Sequence, residues 1–224
     1  MAAAAAIAVV YPHMNSIGGD NFWLLAEPGR EPVGILACGG AGQKATTDFY
    51  RDRGWESIPL RGPLAANTVA GVISGWHAAL QVSTRWGGRL PLARLLEDAI
   101  HYARTGVPVT NSQHRFTAAK LAEAKGAPGF AEHFLVGEAP PSPGSVFRQT
   151  TLADTLERLA TSGLDDFYRG EIGSTVGAEL ARLGSPVTLT DLRAHHAVET
   201  APLRCLSGVE RSTTCLRPRR GSRL

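Results

Sequence analysis

Cysteine is scarce in this sequence and forms no recognisable pattern. The 224 residues include three cysteines, Cys38, Cys205 and Cys215, and no two of them have CxxC spacing. An odd number with these spacings argues against a disulfide framework and against a structural zinc site. The seven histidines contain no HExxH motif, and we expect the adjacent pair, His195 and His196, to be solvated surface residues. The sequence therefore predicts neither a metal site nor a cofactor.

Long hydrophobic runs are absent as well. The apolar stretch at residues 1–10, MAAAAAIAVV, is too short to span a bilayer. It has no basic residues ahead of its apolar part, so it fits a secretory signal poorly. We expect no membrane partner, and without a visible export signal the cytoplasm is the default compartment. Residues 2–10 are rich in alanine and are predicted to be a short helix of the fold itself. Pro12 ends that helix, because proline disfavours helical geometry in the residue before it.

Positive charge is concentrated at one end of the chain. The net charge is +3, but residues 204–224 hold six arginines and one glutamate, a local charge of +5 that leaves −2 for residues 1–203. A basic tail by itself binds polyanions weakly and in a salt-dependent way, so no nucleic-acid partner is expected. The end of the chain also lacks periodicity. We therefore divide the chain into residues 1–205 and an unrelated basic tail at 206–224, which is either out-of-frame coding or disordered.

Apolar residues follow the periods of strands and helices before that tail. Residues 21–38 predict a β-hairpin, because two apolar strands flank the turn sequence EPGRE. Residues 126–144 are rich in glycine and proline and predict an exposed connection. Helices are predicted where apolar residues recur with helical spacing, over residues 68–86, 90–105, 151–163 and the segment after Gly170. A further helix is predicted over residues 111–125 and a short helical turn over 191–196.

Two adjacent glycines stand directly before the first predicted strand. The stretch NSIGGDNFWLL places Gly18 and Gly19 just ahead of an aromatic and aliphatic run. Glycine permits positive φ and close approach of another backbone, and we predict both features here. A structural role is the first interpretation, and a share in shaping a substrate pocket is the second.

Several stretches together resemble one family, the gamma-glutamyltranspeptidases and their amidohydrolase relatives. The resemblance covers residues 3–205, and order, spacing and residue type all agree over its last three segments. The matching segments, in family order, are AVVYPHMNSIGGDNFWLL, KATTDFY, NTVAGVISGW, RWGGRLPLARLLEDAIHYARTGVPV, RQTTLADTLERLATSGLDDFYRGEIG and LTDLRAHHAVETAPLR.

The resemblance implies an α/β fold, the αββα sandwich of the N-terminal-nucleophile hydrolases. Members of this family are precursors that cut themselves into a large and a small subunit, which frees a threonine whose own α-amine serves as the base. That threonine heads the small subunit and attacks a γ-glutamyl or other small amide. The chain thus resembles most of a large subunit without its small subunit, and no catalytic residue is carried over to it. The pair Thr213 and Thr214 lies too soon after the PLR segment to be the cleavage point.

One position departs from the transpeptidase pattern. Counting back from Lys44, Cys38 stands where transpeptidases carry the arginine that grips the glutamyl α-carboxylate. The patterns ACGGAG and SIGGD are instead similar to the branch that includes oxamate amidohydrolase. Cys38 is interpreted as a small packed residue rather than a nucleophile. The candidate substrate-binding residues are therefore Cys38, Gly39, Gly18 and Gly19. A non-catalytic binding remnant of the fold is the alternative.

Overall fold

The computed structural model describes residues 1–207 and 210–215, with side chains described as far as Leu203. Seventeen elements follow one another along these residues. They are α1 (Ala2–Val10), β1 (Asn21–Leu25), β2 (Val33–Ala37), α2 (Thr47–Arg51), α3 (Val72–Arg85), α4 (Leu92–Thr105), β3 (Val107–Pro108), α5 (Asn111–Ala124), α6 (Phe130–Phe134), β4 (Val146–Phe147), α7 (Thr150–Ser162), α8 (Asp166–Arg169), α9 (Glu171–Arg182), α10 (Leu189–Ala194), β5 (Val198–Thr200), β6 (Leu203–Ser207) and β7 (Glu210–Cys215).

The predicted hairpin is confirmed. Strands β1 and β2 pair antiparallel over their full length, and the turn between them contains Gly29 at φ +79°. Strand β5 joins the other side of β2, which gives a three-stranded antiparallel sheet of order β1-β2-β5. The chain travels from residue 37 to residue 198 between these two strands, and α3, which lies in between, packs against β1 and β2.

The two faces of this sheet have different surroundings. Trp23 and Ile35 pair across the strands and pack against α3, where Val82 is fully buried. The opposite face carries Phe22 and Leu24, whose exposed fractions are 57% and 44%, and Val198, at 40%. One side of the sheet is therefore covered by a helix, whereas the other side presents apolar residues to solvent.

The main core lies between helices. Buried residues of α1, α3, α4, α7, α8 and α10 form one cluster, and Trp76 and Tyr168 are its largest members. The Tyr168 hydroxyl donates to the Ala70 carbonyl at 2.8 Å and accepts from the Ser74 amide at 2.9 Å, so its polar end is satisfied. Burial raises the pKa of this phenol above its ordinary value. The helices predicted over residues 68–196 are present, as α3, α4, α5, α7, α9 and α10.

One predicted feature is wrong and one is incomplete. His195 is not solvated: it is 9% exposed, and its ring lies 5.4 Å from that of Tyr168. His196 is exposed, because the chain turns out of α10 at His195 and directs the two neighbouring rings differently. The predicted connection over 126–144 includes the short helix α6, in which Phe130 and Phe134 stack.

The predicted tail is partly described. Strand β7 falls within residues 206–224 and pairs antiparallel with β6. Residues 208–209 and 216–224 lie outside the described residues, so the division of the chain at residue 205 stays a prediction. Within the described part of the chain, no helix has the length and apolar character needed to cross a membrane.

Candidate functional site

The Gly18–Gly19 segment packs against the start of α3. The Gly19 carbonyl accepts hydrogen bonds from the amides of Gly71 and Val72, at 2.8 and 3.0 Å. Gly71 is the N-cap of α3 and offers no side chain, so the Gly19 carbonyl satisfies donors that the helix itself leaves unpaired. The loop before β1 is thus fixed to a helix that begins about fifty residues later.

Asp20 joins this loop to the end of β2. Its Oδ1 accepts a hydrogen bond from the Gly39 amide at 2.9 Å. The four predicted site residues therefore lie in two segments that meet at one hydrogen bond. Their proximity is a property of the fold, and their contact with a substrate stays a prediction. Asp20 was missed by the sequence analysis, although the SIGGD pattern contained it.

Gly39 occupies a position where no side chain fits. A Cβ built on Gly39 would lie 1.6 Å from the Val69 carbonyl oxygen. Residues 39–41 and residues 68–69 are held together by two contacts. The Val69 amide donates to the Gly40 carbonyl at 3.0 Å, and Ala41 and Thr68 form a β-bridge. The backbone of Gly39 thus passes another backbone at the closest range that glycine allows.

Of the two features expected at Gly18 and Gly19, positive φ is absent, and the backbone contact that Gly19 makes with Gly71 does not require glycine. Neither has positive φ, and a Cβ would meet nothing within 4 Å at Gly19 and only the Ser16 hydroxyl, at 3.9 Å, at Gly18. The close approach that glycine permits occurs instead at Gly39 and at Gly71, where a Cβ would lie 2.1 Å from the Ala37 carbonyl oxygen. The two glycines of SIGGD are exposed, because the loop contacts α3 through its backbone carbonyl.

Cys38 is half-buried at the end of β2, and its thiol is free. It directly precedes Gly39 and Gly40, whose backbone bonds to Asp20 and Val69. A side chain at position 38 is therefore held at a defined place, at the end of the central strand β2. The described residues contain no group of three or more potential metal ligands. What the site offers is therefore a rigid, uncharged backbone segment with a small side chain at its edge.

A cavity of about 520 Å³ borders this region, with His13, Gly19 and Asp20 in its lining. Both ring nitrogens of His13 are buried without a hydrogen-bond partner in the described part of the chain. The ring lies against Tyr11 and Phe116, with centroid distances of 4.2 and 5.9 Å. Burial lowers the pKa of His13, which favours the neutral ring. No sequence pattern singled out this histidine.

Comparison with known proteins identifies the family. The profile of the gamma-glutamyltranspeptidase family matches residues 1–214. The chain belongs to this family. It is 54% identical over 204 residues to the oxamate amidohydrolase proenzyme of Klebsiella pneumoniae, and 37% identical over 204 residues to a glutathione hydrolase-like proenzyme of Bacillus subtilis. Each match covers 91% of this chain and 38% of the relative, so the chain spans less than half of either protein.

Solved structures of this gamma-glutamyltranspeptidase-family fold agree with the sequence comparison. The gamma-glutamyltranspeptidase of Pseudomonas nitroreducens, complexed with L-DON, matches with a TM-score of 0.82 and 32% identity over 96% of this chain and 62% of that one. A cephalosporin acylase from Bacillus halodurans matches with a TM-score of 0.82 and 29% identity over 91% of this chain and 38% of that one. The predicted α/β fold of the N-terminal-nucleophile hydrolases is confirmed over the part of those chains that this chain covers.

Proposed function

We propose that this chain is the large-subunit part of an autoprocessed amide hydrolase that acts on a small amide of the oxamate type. Cys38 carries this proposal, because a small uncharged residue occupies the rim of the sheet where the family's transpeptidases have an arginine. The 54% identity to an oxamate amidohydrolase proenzyme supports the same substrate class.

The chemistry of the two substrates explains why the arginine matters. In a γ-glutamyl amide the α-carboxylate is separated from the scissile carbonyl by three carbons, whereas in oxamate the carboxylate is bonded directly to that carbonyl. A cation placed for the first carboxylate is therefore too far away for the second. Losing a charged hydrogen bond costs on the order of 1.5–3 kcal/mol, so an enzyme without the arginine should bind γ-glutamyl groups poorly.

We propose that the family's small subunit docks on one face of the three-stranded sheet. The sheet face that bears Phe22, Leu24 and Val198 is apolar and exposed, although such a face is ordinarily covered by a second layer. The relatives are far longer than this chain, so their remaining residues are the proposed cover. We further propose that the nucleophilic threonine belongs to that remainder and that this chain has no amidase activity by itself.

We expect residues 1–224 to aggregate or to be molten when expressed without that remainder. Among the residues that the structure describes, no strand pairs with the outer edges of β1 and β5, and the sheet face that bears Phe22 and Leu24 is exposed. Size-exclusion chromatography with thermal unfolding measures this. The matched variant Phe22→Ser with Leu24→Ser should be more soluble. A monodisperse parent chain with a sharp cooperative melt would contradict the proposed docking face.

A chimera tests the activity. The 204 matched residues of the Klebsiella pneumoniae proenzyme are replaced by those of this chain, and the remainder of that protein is retained. We expect the chimera to cleave itself and to hydrolyse oxamate, with little turnover of γ-glutamyl-p-nitroanilide. The unmodified Klebsiella protein is the positive control. Efficient turnover of the γ-glutamyl substrate with oxamate left untouched would overturn the assignment, and a chimera that assembles but hydrolyses neither would favour a non-catalytic binding role.

A further inference from the structure

A buried carboxylate links the site to a helix near the other end of the chain. Asp191 is 7% exposed and lies in the first turn of α10. Its Oδ1 accepts a hydrogen bond from the Gln43 amide at 3.1 Å, across a separation of 148 residues in sequence. Gln43 belongs to the loop that begins with the candidate residues Cys38 and Gly39, so Asp191 contacts the same loop that Asp20 holds at its other end.

The second oxygen of Asp191 fixes the orientation of the carboxylate. Oδ2 accepts from the Thr188 amide at 2.8 Å and from the Thr188 hydroxyl at 2.7 Å, and the Asp191 amide donates back to that hydroxyl in a capping box. Burial by itself would raise the pKa of Asp191, but hydrogen bonds from Thr188 and Gln43 and the charge of Lys44 outweigh it, so the pKa is lowered. The group is therefore a fixed anion at neutral pH.

The loop between the two carboxylates has little freedom. Gly39 is pressed against the Val69 carbonyl, and at Gly42 a Cβ would lie 2.6 Å from the Pro186 carbonyl oxygen. The Gly42 amide donates to the Asn67 carbonyl at 2.9 Å. Such a loop has defined contacts on both sides, and its position depends on the groups that hold its ends.

We propose that Asp191 is a positioning residue for substrate binding, which acts through the Gln43 amide to fix where Cys38 and Gly39 stand. This inference rests on the proposed function. In this role Asp191 acts through the backbone of the loop rather than by direct contact with the substrate. Its second task, capping α10, is separable, because that task uses Oδ2 and Thr188 whereas the loop uses Oδ1.

Two variants of the active chimera separate the tasks. Asp191→Ala removes both contacts. Thr188→Ala removes only the hydroxyl and weakens the cap, because the amide of residue 188 still donates to Oδ2 and keeps the carboxylate oriented toward Gln43. We expect Asp191→Ala to raise the KM for oxamate by about tenfold with a smaller change in kcat, because a misplaced binding loop weakens substrate positioning. Thr188→Ala should lower the Tm, as Asp191→Ala does, and should leave KM within about twofold of the parent value.

A third variant removes the donor of the hydrogen bond between Gln43 and Asp191. Gln43→Pro deletes the donor amide and keeps Asp191 in the capping box of α10, so it should raise KM without the full loss of Tm. Combined with Asp191→Ala it should raise KM no further, because both changes remove one interaction. If Asp191→Ala fails to fold, the KM of Gln43→Pro alone decides the case.

The outcomes distinguish the two proposals. An active chimera in which Asp191→Ala and Thr188→Ala have the same KM would show that Asp191 only caps α10. An unchanged KM in Gln43→Pro, or additive KM effects in the double variant, would equally overturn the positioning role. A parent chimera without oxamate hydrolysis overturns the proposed function, and the positioning role falls with it.

Discussion

Gly39→Ala should destabilise the protein by more than about 4 kcal/mol, a loss that few single substitutions reach. The added Cβ would lie 1.6 Å from the Val69 carbonyl oxygen and 2.5 Å from its carbonyl carbon. Both of these atoms belong to the backbone, so the clash cannot be relieved by a rotamer change. Moving Gly39 away from Val69 would break the hydrogen bond from the Val69 amide to the Gly40 carbonyl. It would also pull the Gly39 amide from the Asp20 carboxylate.

The adjacent residue provides a matched control. A Cβ at Gly40 would meet nothing within 4 Å, and Gly40 has no positive φ, so Gly40→Ala should be neutral or stabilising by up to about 1 kcal/mol. Denaturant unfolding of the chimera, together with its yield of soluble, self-cleaved protein, measures both variants. Equal losses at the two positions would show that the close approach of Gly39 to Val69 is not what requires glycine.

Cys38→Arg should shift the substrate preference of the chimera toward γ-glutamyl amides. It restores a guanidinium at the position where transpeptidases carry one, and a charged hydrogen bond to the α-carboxylate contributes about 1.5–3 kcal/mol, or roughly 10- to 150-fold in affinity. We expect the KM for γ-glutamyl-p-nitroanilide to fall by about that factor and oxamate hydrolysis to weaken, because the larger side chain narrows the site. This prediction rests on the proposed function.

Two controls separate charge and reactivity from size. Cys38→Gln adds length without charge and should leave the γ-glutamyl substrate poorly bound. Cys38→Ser removes the thiol and should retain oxamate hydrolysis, since Cys38 is interpreted as a packed residue. Equal effects of Arg and Gln would show that charge at this position does not select the substrate, and loss of all activity in Cys38→Ser would contradict the interpretation of Cys38 as a residue without a nucleophilic role.

Site residues could be predicted from the sequence where they stand next to their partners in one motif, and they were missed where their partners lie far away along the chain. Cys38 was found because it lies within the short motif ACGGAG, a few residues before Lys44 and next to the glycines of its loop. Asp20 and Asp191 were not singled out, although each bonds to the backbone of that loop. Their partners lie 19 and 148 residues away, and no spacing within a motif encodes such a pairing. His13 was missed for the same reason, because its burial depends on Phe116 from a distant helix.

The sequence by itself determined the hairpin, the amphipathic helices and the family, because turn residues, apolar periodicity and motif order act over a few residues at a time. Only the tertiary structure decided that Gly39 and Gly71 need to be glycine whereas Gly18 and Gly19 do not, and that His195 is buried beside an exposed His196. These outcomes depend on which distant backbone or ring comes within contact distance, and a residue's chain neighbours do not determine that.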